Sequence, residues 1–272
     1  MGLFGIAAAS GTFKGVFVHG VLSAFEECGI VAGAYGCASS SVISGTLAAI
    51  GKAREGGLDY WTSALAIAEA NNQNMRIVAL DSIRLYGPRI KEGLFIERKG
   101  RVLICVSAVN NDQAAALTQG SGAKSLGRRL MISALRGDST WPDENLNKVI
   151  FDSEAASGDL TLTSNNFDEV SYASTRMLHA WDQPAWIDGA PFIDASYTCS
   201  CPVYEFCERG WPEVIAIGTE PGKMYTNIFR TKKVVPGLYG RTRVHVVLPD
   251  YDPRDVGVDL TMSSVKGLDT VY

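Results

Sequence analysis

The chain of 272 residues is 46% hydrophobic and 20% charged, with a formal net charge of -4. These proportions are typical of a globular protein with a sizeable core, and the acidic balance argues against a nucleic-acid partner. No run of about 18 or more apolar residues is present, so the sequence predicts no membrane-spanning helix. Because no linker, repeat or low-complexity segment is evident, a single domain over residues 1–272 is the simplest organisation.

The N-terminal residues are apolar with no basic residue ahead of them, which is more typical of a first buried strand than of a signal peptide. A cytoplasmic location with reduced thiols is therefore expected for the six cysteines. Cys199, Cys201 and Cys207 match no common zinc spacing and have no histidine nearby, so no metal site is predicted. Lys14-Gly15 lacks the Ser or Thr of a phosphate-binding loop, no dinucleotide glycine motif is present, and no cofactor is predicted.

The first fifty residues predict a strand, a helix, a second strand and a second helix, over 3–10, 16–28, 30–35 and 39–50. Gly29 suits the end of the first helix. Two strands joined through a helix are typical of a parallel sheet covered by helices. The predicted fold class is therefore α/β, with a central, mostly parallel sheet flanked by helices in one domain.

The rest of the chain gives further elements. Helices are predicted over 60–70, within 120–136 and over 169–181, and strands over 101–109, 213–218 and 243–248. The strand at 101–109 is almost continuously apolar, which is typical of a strand buried on both faces. Residues 152–168 are polar and small and predict a loop or hairpin.

The stretch 35–41 connects the second predicted strand to the second predicted helix through Gly36, which is the context of a nucleophile elbow. In such a turn one side chain is exposed beside a helix N-terminus, whose free N–H groups favour negative charge. Counting from Gly36, the residue at the tip is Ala38, which has no nucleophile to offer.

Three stretches in this order and spacing resemble one known family. They are the loop Ser10-Gly11-Thr12-Phe13-Lys14-Gly15, the turn Gly36-Cys37-Ala38-Ser39-Ser40, and the distal Asp194-Ala195-Ser196 followed by Pro202-Val203. Together they resemble the patatin-like phospholipases, which have a glycine-rich oxyanion loop with Arg or Lys, a Gly-x-Ser-x-Gly elbow and a distal aspartate. The match covers residues 3–50 well and 170–220 loosely.

The resemblance implies a lipid acyl hydrolase of the phospholipase A or lysophospholipase type. It implies a Ser–Asp dyad acting through an acyl-enzyme, with position 38 as the nucleophile and Asp194 as the base. The backbone N–H groups of Gly11, Thr12, Phe13, Lys14 and Gly15 are expected to hold the oxyanion. A lipid or acyl-ester substrate and a transient contact with a membrane surface are the partners implied, and the oligomeric state is left open.

Two aspartates compete for the distal position. Asp188-Gly189-Ala190 superficially fits the family pattern, but only Asp194 has a Pro-Val pair eight residues later, so Asp194 is preferred and Asp188-Gly189 is expected to be a turn. The three histidines show no motif and no catalytic part is expected of them: His19, His179 and His245.

Ala38 at the family serine position leaves three explanations open. The chain is a nucleophile knockout of an active enzyme, which the presence of Asp194 and Lys14 favours. Alternatively, it is a natural pseudoenzyme that binds lipid or a protein partner without catalysis. A third explanation uses Ser39 or another neighbour, which would place Cys37 and Ser41 where the family has glycines.

Overall fold

The computed structural model describes residues 4–155, 160–180 and 182–272. Its helices are α1 (Gly15–Glu27), α2 (Ser41–Ala49), α3 (Ala53–Ala70), α4 (Met75–Lys91), α5 (Asp112–Gln119), α6 (Ala123–Arg136), α7 (Thr140–Asn145), α8 (Phe167–Thr175), α9 (Val203–Glu208) and α10 (Val265–Val271). Its strands are β1 (Phe4–Ala8), β2 (Ala34–Ala38), β3 (Val102–Val109), β4 (Leu146–Asp152), β5 (Leu160–Thr161), β6 (Trp186–Ile187), β7 (Ala190–Ile193), β8 (Glu213–Ile217), β9 (Met224–Tyr225), β10 (Lys233–Val234), β11 (Gly237–Tyr239) and β12 (Thr242–Val247). Short 3-10 turns cover Thr12–Lys14, Ala195–Tyr197 and Pro253–Val256, and a π turn covers Glu92–Ile96.

The central sheet is mostly parallel and runs in the order β11-β12-β8-β1-β2-β3-β4-β5. Its middle, from β12 through β8, β1 and β2 to β3, is parallel throughout, whereas β11 and β4 pair antiparallel with β12 and β3. Strands β9 and β10 form a separate antiparallel pair. The α/β class with a mostly parallel sheet flanked by helices is confirmed.

Both faces of the sheet are buried, as the alternation along β1 and the residue after it shows. Ile6 and Ala8 belong to the larger core cluster, which includes residues of α1, α2, α3, α4 and α8. Ala7 and Ala9 belong to a second cluster on the other face, together with Phe206 of α9. A period of two residues with apolar side chains on both faces is expected of a central strand in such a sheet.

Several predicted elements are confirmed near their predicted bounds. The strand at 101–109 is β3, buried over nearly its whole length, and the strands at 213–218 and 243–248 are β8 and β12. The first helix is α1, followed by Gly29 with a φ of 68° in the left-handed region that suits a helix end. The helix expected within 120–136 is α6.

Three predicted elements need correction. The second strand covers Ala34–Ala38 rather than 30–35, and Ile30 and Val31 before it are 39% and 65% exposed. The helix predicted over 169–181 is α8, which ends at Thr175, and residue 181 lies outside the described residues. Within 152–168 only the hairpin alternative is wrong, because the two-residue β5 pairs parallel with β4, whereas 153–155 and 162–166 are loop; residues 156–159 lie outside the described part.

Within the described residues, none of the helices combines the length and the apolar composition needed to cross a bilayer. The single domain over residues 1–272 stays a prediction. The start of the first strand at residue 3 also stays a prediction, because residues 1–3 lie outside the described part.

Candidate active site

Two strands run toward each other along one edge of β3, and the residues that follow them form the candidate site. β2 pairs parallel with the first half of β3 and ends at Ala38. β7 pairs antiparallel with β3 and ends at Ile193, two residues further along β3. Because β4 occupies the other edge of β3, β2 and β7 share one edge and converge. Ser39 and Asp194 therefore meet, although 155 positions separate them in the sequence.

Ser39 lies at the tip of the turn between β2 and α2. Its φ of 53° is in the left-handed region, which residues other than glycine adopt uncommonly. Its Oγ donates a hydrogen bond of 2.9 Å to Oδ2 of Asp194. Its backbone N–H donates to Oγ of Ser174 at 2.9 Å, and the Ser174 hydroxyl donates to the carbonyl of Cys105 at 2.7 Å. The unusual backbone of Ser39 is thus fixed by α8 and β3.

Ala38 is not the tip of the turn, and this corrects the sequence-based prediction. It is the last residue of β2, its side chain is fully buried in the second core cluster, and its N–H donates to Oγ of Ser41 at 2.9 Å. The prediction was counted from Gly36, but Gly36 lies inside β2. A Cβ at Gly36 would overlap the ring of Phe206, so this glycine admits α9 onto the sheet and does not mark the turn.

The family has a glycine two residues before its nucleophile and another two residues after it. Counted from Ser39, these positions hold Cys37 and Ser41, and the structure accommodates both side chains. Cys37 is fully buried, and room for its Sγ comes from α2, where a Cβ at Gly45 would overlap that sulfur. The hydroxyl of Ser41 lies 2.9 Å from the carbonyl oxygens of both Ala8 and Ala38, so it is satisfied by backbone. Neither side chain prevents Ser39 from occupying the tip.

Asp194 is fully buried and well bonded. Its Oδ1 accepts a hydrogen bond of 2.7 Å from the N–H of Ser196, while its backbone N–H donates to the carbonyl of Arg176 at 3.0 Å. Burial raises the pKa of Asp194 to about 6, against the hydrogen bonds from Ser196 and Ser39, which lower it. The group is therefore largely a carboxylate at neutral pH, yet more basic than an ordinary aspartate.

Asp188, the competing aspartate, lies outside the site. It is exposed in the two-residue turn between β6 and β7, where Asp188 has a φ of 50° and Gly189 a φ of 77°. Two left-handed residues are typical of a type I′ hairpin turn, which confirms the predicted turn.

The loop predicted as the oxyanion site lies beside Ser39, but its five N–H groups differ in availability. The N–H of Gly11 donates to Oγ of Ser40 at 3.0 Å, and the N–H of Lys14 donates to the carbonyl of Gly11 at 3.1 Å. The N–H of Gly15 bonds back into the 3-10 turn. The N–H groups of Thr12 and Phe13 come first in that turn and have no partner within it. The five predicted donors are thus reduced to two.

Lys14 does not present its charge to Ser39. Its side chain is 3% exposed and its ammonium forms an ion pair with Glu220, whose side chain is half exposed. Gly15 is in α1, where a Cβ would contact the ring of Trp61 and the hydroxyl of Ser40. The role predicted for both residues as direct oxyanion donors is corrected, because their backbone N–H groups are already bonded within the turn.

Two cavities meet at Ser39. The larger cavity, of about 540 Å³, is bordered by Gly11, Ser196 and Ser200 and by charged groups that include Glu220 and Lys223. The narrow cavity, of about 60 Å³, lies on the other side against α3 and α4 and is lined mainly by aromatic and apolar side chains. Three residues border both cavities: Thr12, Ser39 and Met177.

The sequence-based interpretation missed several residues of the site. Ser174 and Met177 follow no motif and reach the site only because α8 packs across β3. Only the nucleophile had a signal in the sequence: the run of serines after Ala38 offers a hydroxyl at every position of the turn.

The histidines and cysteines give no competing centre. His19 is fully buried, with Nδ1 accepting from the indole N–H of Trp61 and Nε2 bonded to the carbonyl of Ala53, and burial lowers the pKa of His19 to about 4. His179 borders the larger cavity, and burial lowers its pKa as well. In the part of the chain that the structure describes, no three His, Cys, Asp or Glu side chains are grouped to hold a metal ion.

Comparison with models of known protein families gives no match to this chain, and comparison with curated proteins gives none either. The resemblance to the patatin-like phospholipases therefore depends on the three stretches alone. The hydrogen bond between Ser39 and Asp194 is independent of that resemblance, and a chemical interpretation of the site starts from it.

Proposed function

We propose that this protein hydrolyses carboxylic esters through an acyl-enzyme formed on Ser39, with Asp194 as the base. The observation that carries the proposal is the 2.9 Å hydrogen bond from the Ser39 hydroxyl to the Asp194 carboxylate at a left-handed turn. The strand–turn–helix from β2 to α2 supports the proposal, because a nucleophile elbow exposes its tip residue at the C-terminal end of a strand. Two cavities that meet at Ser39 offer places for both halves of an ester.

The first chemical step forms the bond between Ser39 Oγ and the acyl carbon. The hydroxyl proton passes to Asp194 as the bond forms, and the carbonyl oxygen becomes an oxyanion. Its charge is held by the N–H groups of Thr12 and Phe13 and by the N-terminus of α2, where the first N–H groups of a helix point outward. Each such donor is typically worth about 3 to 4 kcal/mol of transition-state stabilisation.

In the remaining steps Asp194 first gives up the proton that it took from Ser39 and then takes one from water. The acyl–oxygen bond to the alcohol breaks, and the leaving oxygen takes the proton from Asp194. Water then attacks the acyl carbon, gives one proton to Asp194, and the acid leaves as the proton returns to Ser39 Oγ. The carboxylate works as a base only when ionised, so the pKa of about 6 allows the reaction at neutral pH.

The motif resemblance adds two points to this proposal: the substrate is a lipid acyl ester, and the protein makes contact with a membrane surface. The alternatives of a nucleophile knockout and of a non-catalytic binding module were based on alanine at the tip of the turn. Ser39 occupies that position, bonded to a buried carboxylate, so this basis is removed and the catalytic interpretation is preferred.

The test compares four proteins in hydrolysis of p-nitrophenyl esters and in labelling by a fluorophosphonate. Ser39→Ala is expected to lower kcat by at least about 10³-fold and to abolish labelling, because nothing else can form the acyl-enzyme. Asp194→Asn is expected to reduce both strongly, because an amide cannot take the proton. Ser44→Ala, on the next turn of α2 with its hydroxyl bonded to the carbonyl of Ser41, is the matched control and should retain activity.

Ala38→Ser tests whether the nucleophile position is residue 39 or residue 38. Its hydroxyl would enter the packed second core cluster, so no gain of hydrolysis is expected, with a loss of stability of about 1 to 3 kcal/mol. Activity in Ser39→Ala equal to that of the unsubstituted chain would contradict the proposed function, as would activation by Ala38→Ser that persists in the Ser39→Ala background.

A further inference from the structure

The narrow cavity beside Ser39 has rigid walls. Tyr60 and Trp61 of α3 stack edge to face with ring centroids 4.8 Å apart, and the ring of Phe13 lies 6.4 Å from that of Trp61. The indole N–H of Trp61 donates to Nδ1 of His19 at 3.0 Å, and His19 is itself anchored to the carbonyl of Ala53 at 2.9 Å. The Trp61 ring therefore cannot swing aside without breaking a buried hydrogen bond.

The opposite wall comes from α4 and is also buried. Met75 and Val78 are 5% and 7% exposed and border the narrow cavity, as does Ala64 of α3, which is 3% exposed. The volume of about 60 Å³ is well below the roughly 150 Å³ of an engineered cavity that admits a benzene ring. A chain of about two to four carbons therefore fills the space between these walls.

The larger cavity differs in both size and chemistry. Its volume of about 540 Å³ lies within the usual range of ligand sites, about 300 to 1,000 Å³. Lys223 and Arg230 border it, together with Glu220 and the amide of Asn227. A bulky, polar group fits this side of Ser39, whereas the narrow cavity offers mainly ring edges, methyl groups and two thioethers.

We propose that the narrow cavity is the acyl site, so that the enzyme acts on esters of short-chain carboxylic acids with large alcohols. The inference rests on the proposed function, because it assigns the two halves of an ester to the two sides of Ser39. It narrows that function in a direction that the motif resemblance does not give, since the resemblance leaves the length of the acyl chain open.

The order of the chemical steps supports this orientation. The alcohol leaves while the acyl group stays bonded to Ser39, and water must then reach the acyl carbon. When the alcohol departs from the larger cavity, it vacates the side with room and polar groups for water. With the orientation reversed, water would have to enter through the apolar narrow cavity, whose walls offer it few partners.

The experiment measures kcat/KM for p-nitrophenyl acetate, butyrate, octanoate and palmitate, with fluorophosphonate labelling of Ser39 in the same preparations. Acetate and butyrate are expected to exceed octanoate by at least about tenfold, because each misplaced methylene in a tight pocket is costly. Methyl octanoate, with a small alcohol and a long acid, is expected to be a poor substrate.

Matched variants on one helix link the preference to the cavity. Val78→Ala enlarges the narrow cavity and is expected to raise the octanoate-to-butyrate ratio by at least about threefold. Leu85→Ala is the control, because its side chain is on the same α4 but 61% exposed and away from the cavity. Ala79→Leu, which adds atoms to the cavity, is expected to lower butyrate hydrolysis relative to acetate, so the test does not depend on one variant folding.

The outcomes separate the two proposals. If no ester is hydrolysed and Ser39 is not labelled, the proposed function fails and this inference fails with it. If Ser39 is labelled and octanoate, palmitate or methyl octanoate is the better substrate, the proposed function stands and the acyl-site assignment is overturned. The assignment is also overturned if Leu85→Ala changes the chain-length ratio as much as Val78→Ala does.

Discussion

Ser39 carries a backbone conformation that its residue type does not favour. A left-handed residue other than glycine costs about 1 to 2 kcal/mol, and here the φ of 53° is fixed by the hydrogen bond to Ser174 and by the helix that begins two residues later. The strain places the hydroxyl against Asp194 instead of in the core. The conformation at this residue is therefore part of how the site is built.

Two substitutions at this residue measure the strain. Ser39→Gly and Ser39→Ala both remove the hydroxyl, but only glycine adopts a positive φ without steric cost. We expect the Gly variant to be more stable than the Ala variant by about 1 kcal/mol in urea unfolding, with neither variant hydrolysing esters. Equal stabilities, or an Ala variant more stable than the Gly variant, would show that Ser39 is not strained.

Asp194 gives a second prediction, from the linkage between its pKa and folding. Its pKa is about 6 in the folded state and near 3.8 in an unfolded chain, so the folded state binds an extra proton between those pH values. Stability from this group is fully present below about pH 4 and is lost as the pH rises through about 6. The loss is on the order of 3 kcal/mol, from a shift of about two pKa units.

Asp194→Asn removes this titration while keeping an acceptor for the N–H of Ser196. At pH 8 the variant is expected to be more stable than the unsubstituted chain by up to about 3 kcal/mol, and the gain should disappear near pH 4. Urea unfolding at several pH values gives the measurement. Asp188→Asn, at the exposed turn residue, is the matched control for the loss of one carboxylate. A gain that is constant with pH would contradict the assignment of a raised pKa.

At the scale of elements, β3 organises both the sheet and the site. Its apolar run allowed the sequence to predict a strand buried on both faces, and Val102, Leu103 and Ile104 are indeed fully buried. The sequence could not show that β2 and β7 share one edge of it. β7 is only four residues long and includes a proline, too short for any periodicity to register.

The error at β2 has a local physical cause. Glycine marks turns often enough that Gly36 appeared to end the strand, yet the ring of Phe206 from α9 occupies the space its side chain would fill. The packing partner lies 170 positions away (206 − 36) and no pattern near Gly36 reveals it. The structure places Asp194 against this turn, and the residue bonded to its carboxylate is Ser39, one position after Ala38.

Helices were predicted best where an amphipathic pattern was long. α1 and α6 agree with their predicted bounds, since each shows a repeating apolar side and ends beside a left-handed glycine, Gly29 and Gly137. α4 was missed because its apolar residues are dispersed among charged ones, and it supplies one wall of the narrow cavity. The cavity that sets the proposed acyl preference thus depends on an element that local pattern does not reveal.

The whole molecule brings the dyad together, because Ser39 and Asp194 are adjacent only when β2 and β7 both pair with β3. We therefore expect fluorophosphonate labelling of Ser39 and the tertiary fold to be lost at the same urea concentration, as a two-state unfolding requires. Near-UV circular dichroism follows the fold. The buried thiols of Cys37, Cys105 and Cys199 should become reactive in the same transition.

Cys28 is exposed and Cys207 is half-buried, so a background with both replaced by serine leaves a clear signal from the buried thiols. Labelling of Ser39 could instead be lost at a urea concentration well below the one at which the thiols in the sheet become reactive. That result would mean that the turn and β7 separate while β3 stays packed. In that case the dyad would be a locally unstable contact and not a product of the whole fold. Coincident midpoints are expected, since both halves of the site are bonded to the central strand and to residues 174–176 at the end of α8.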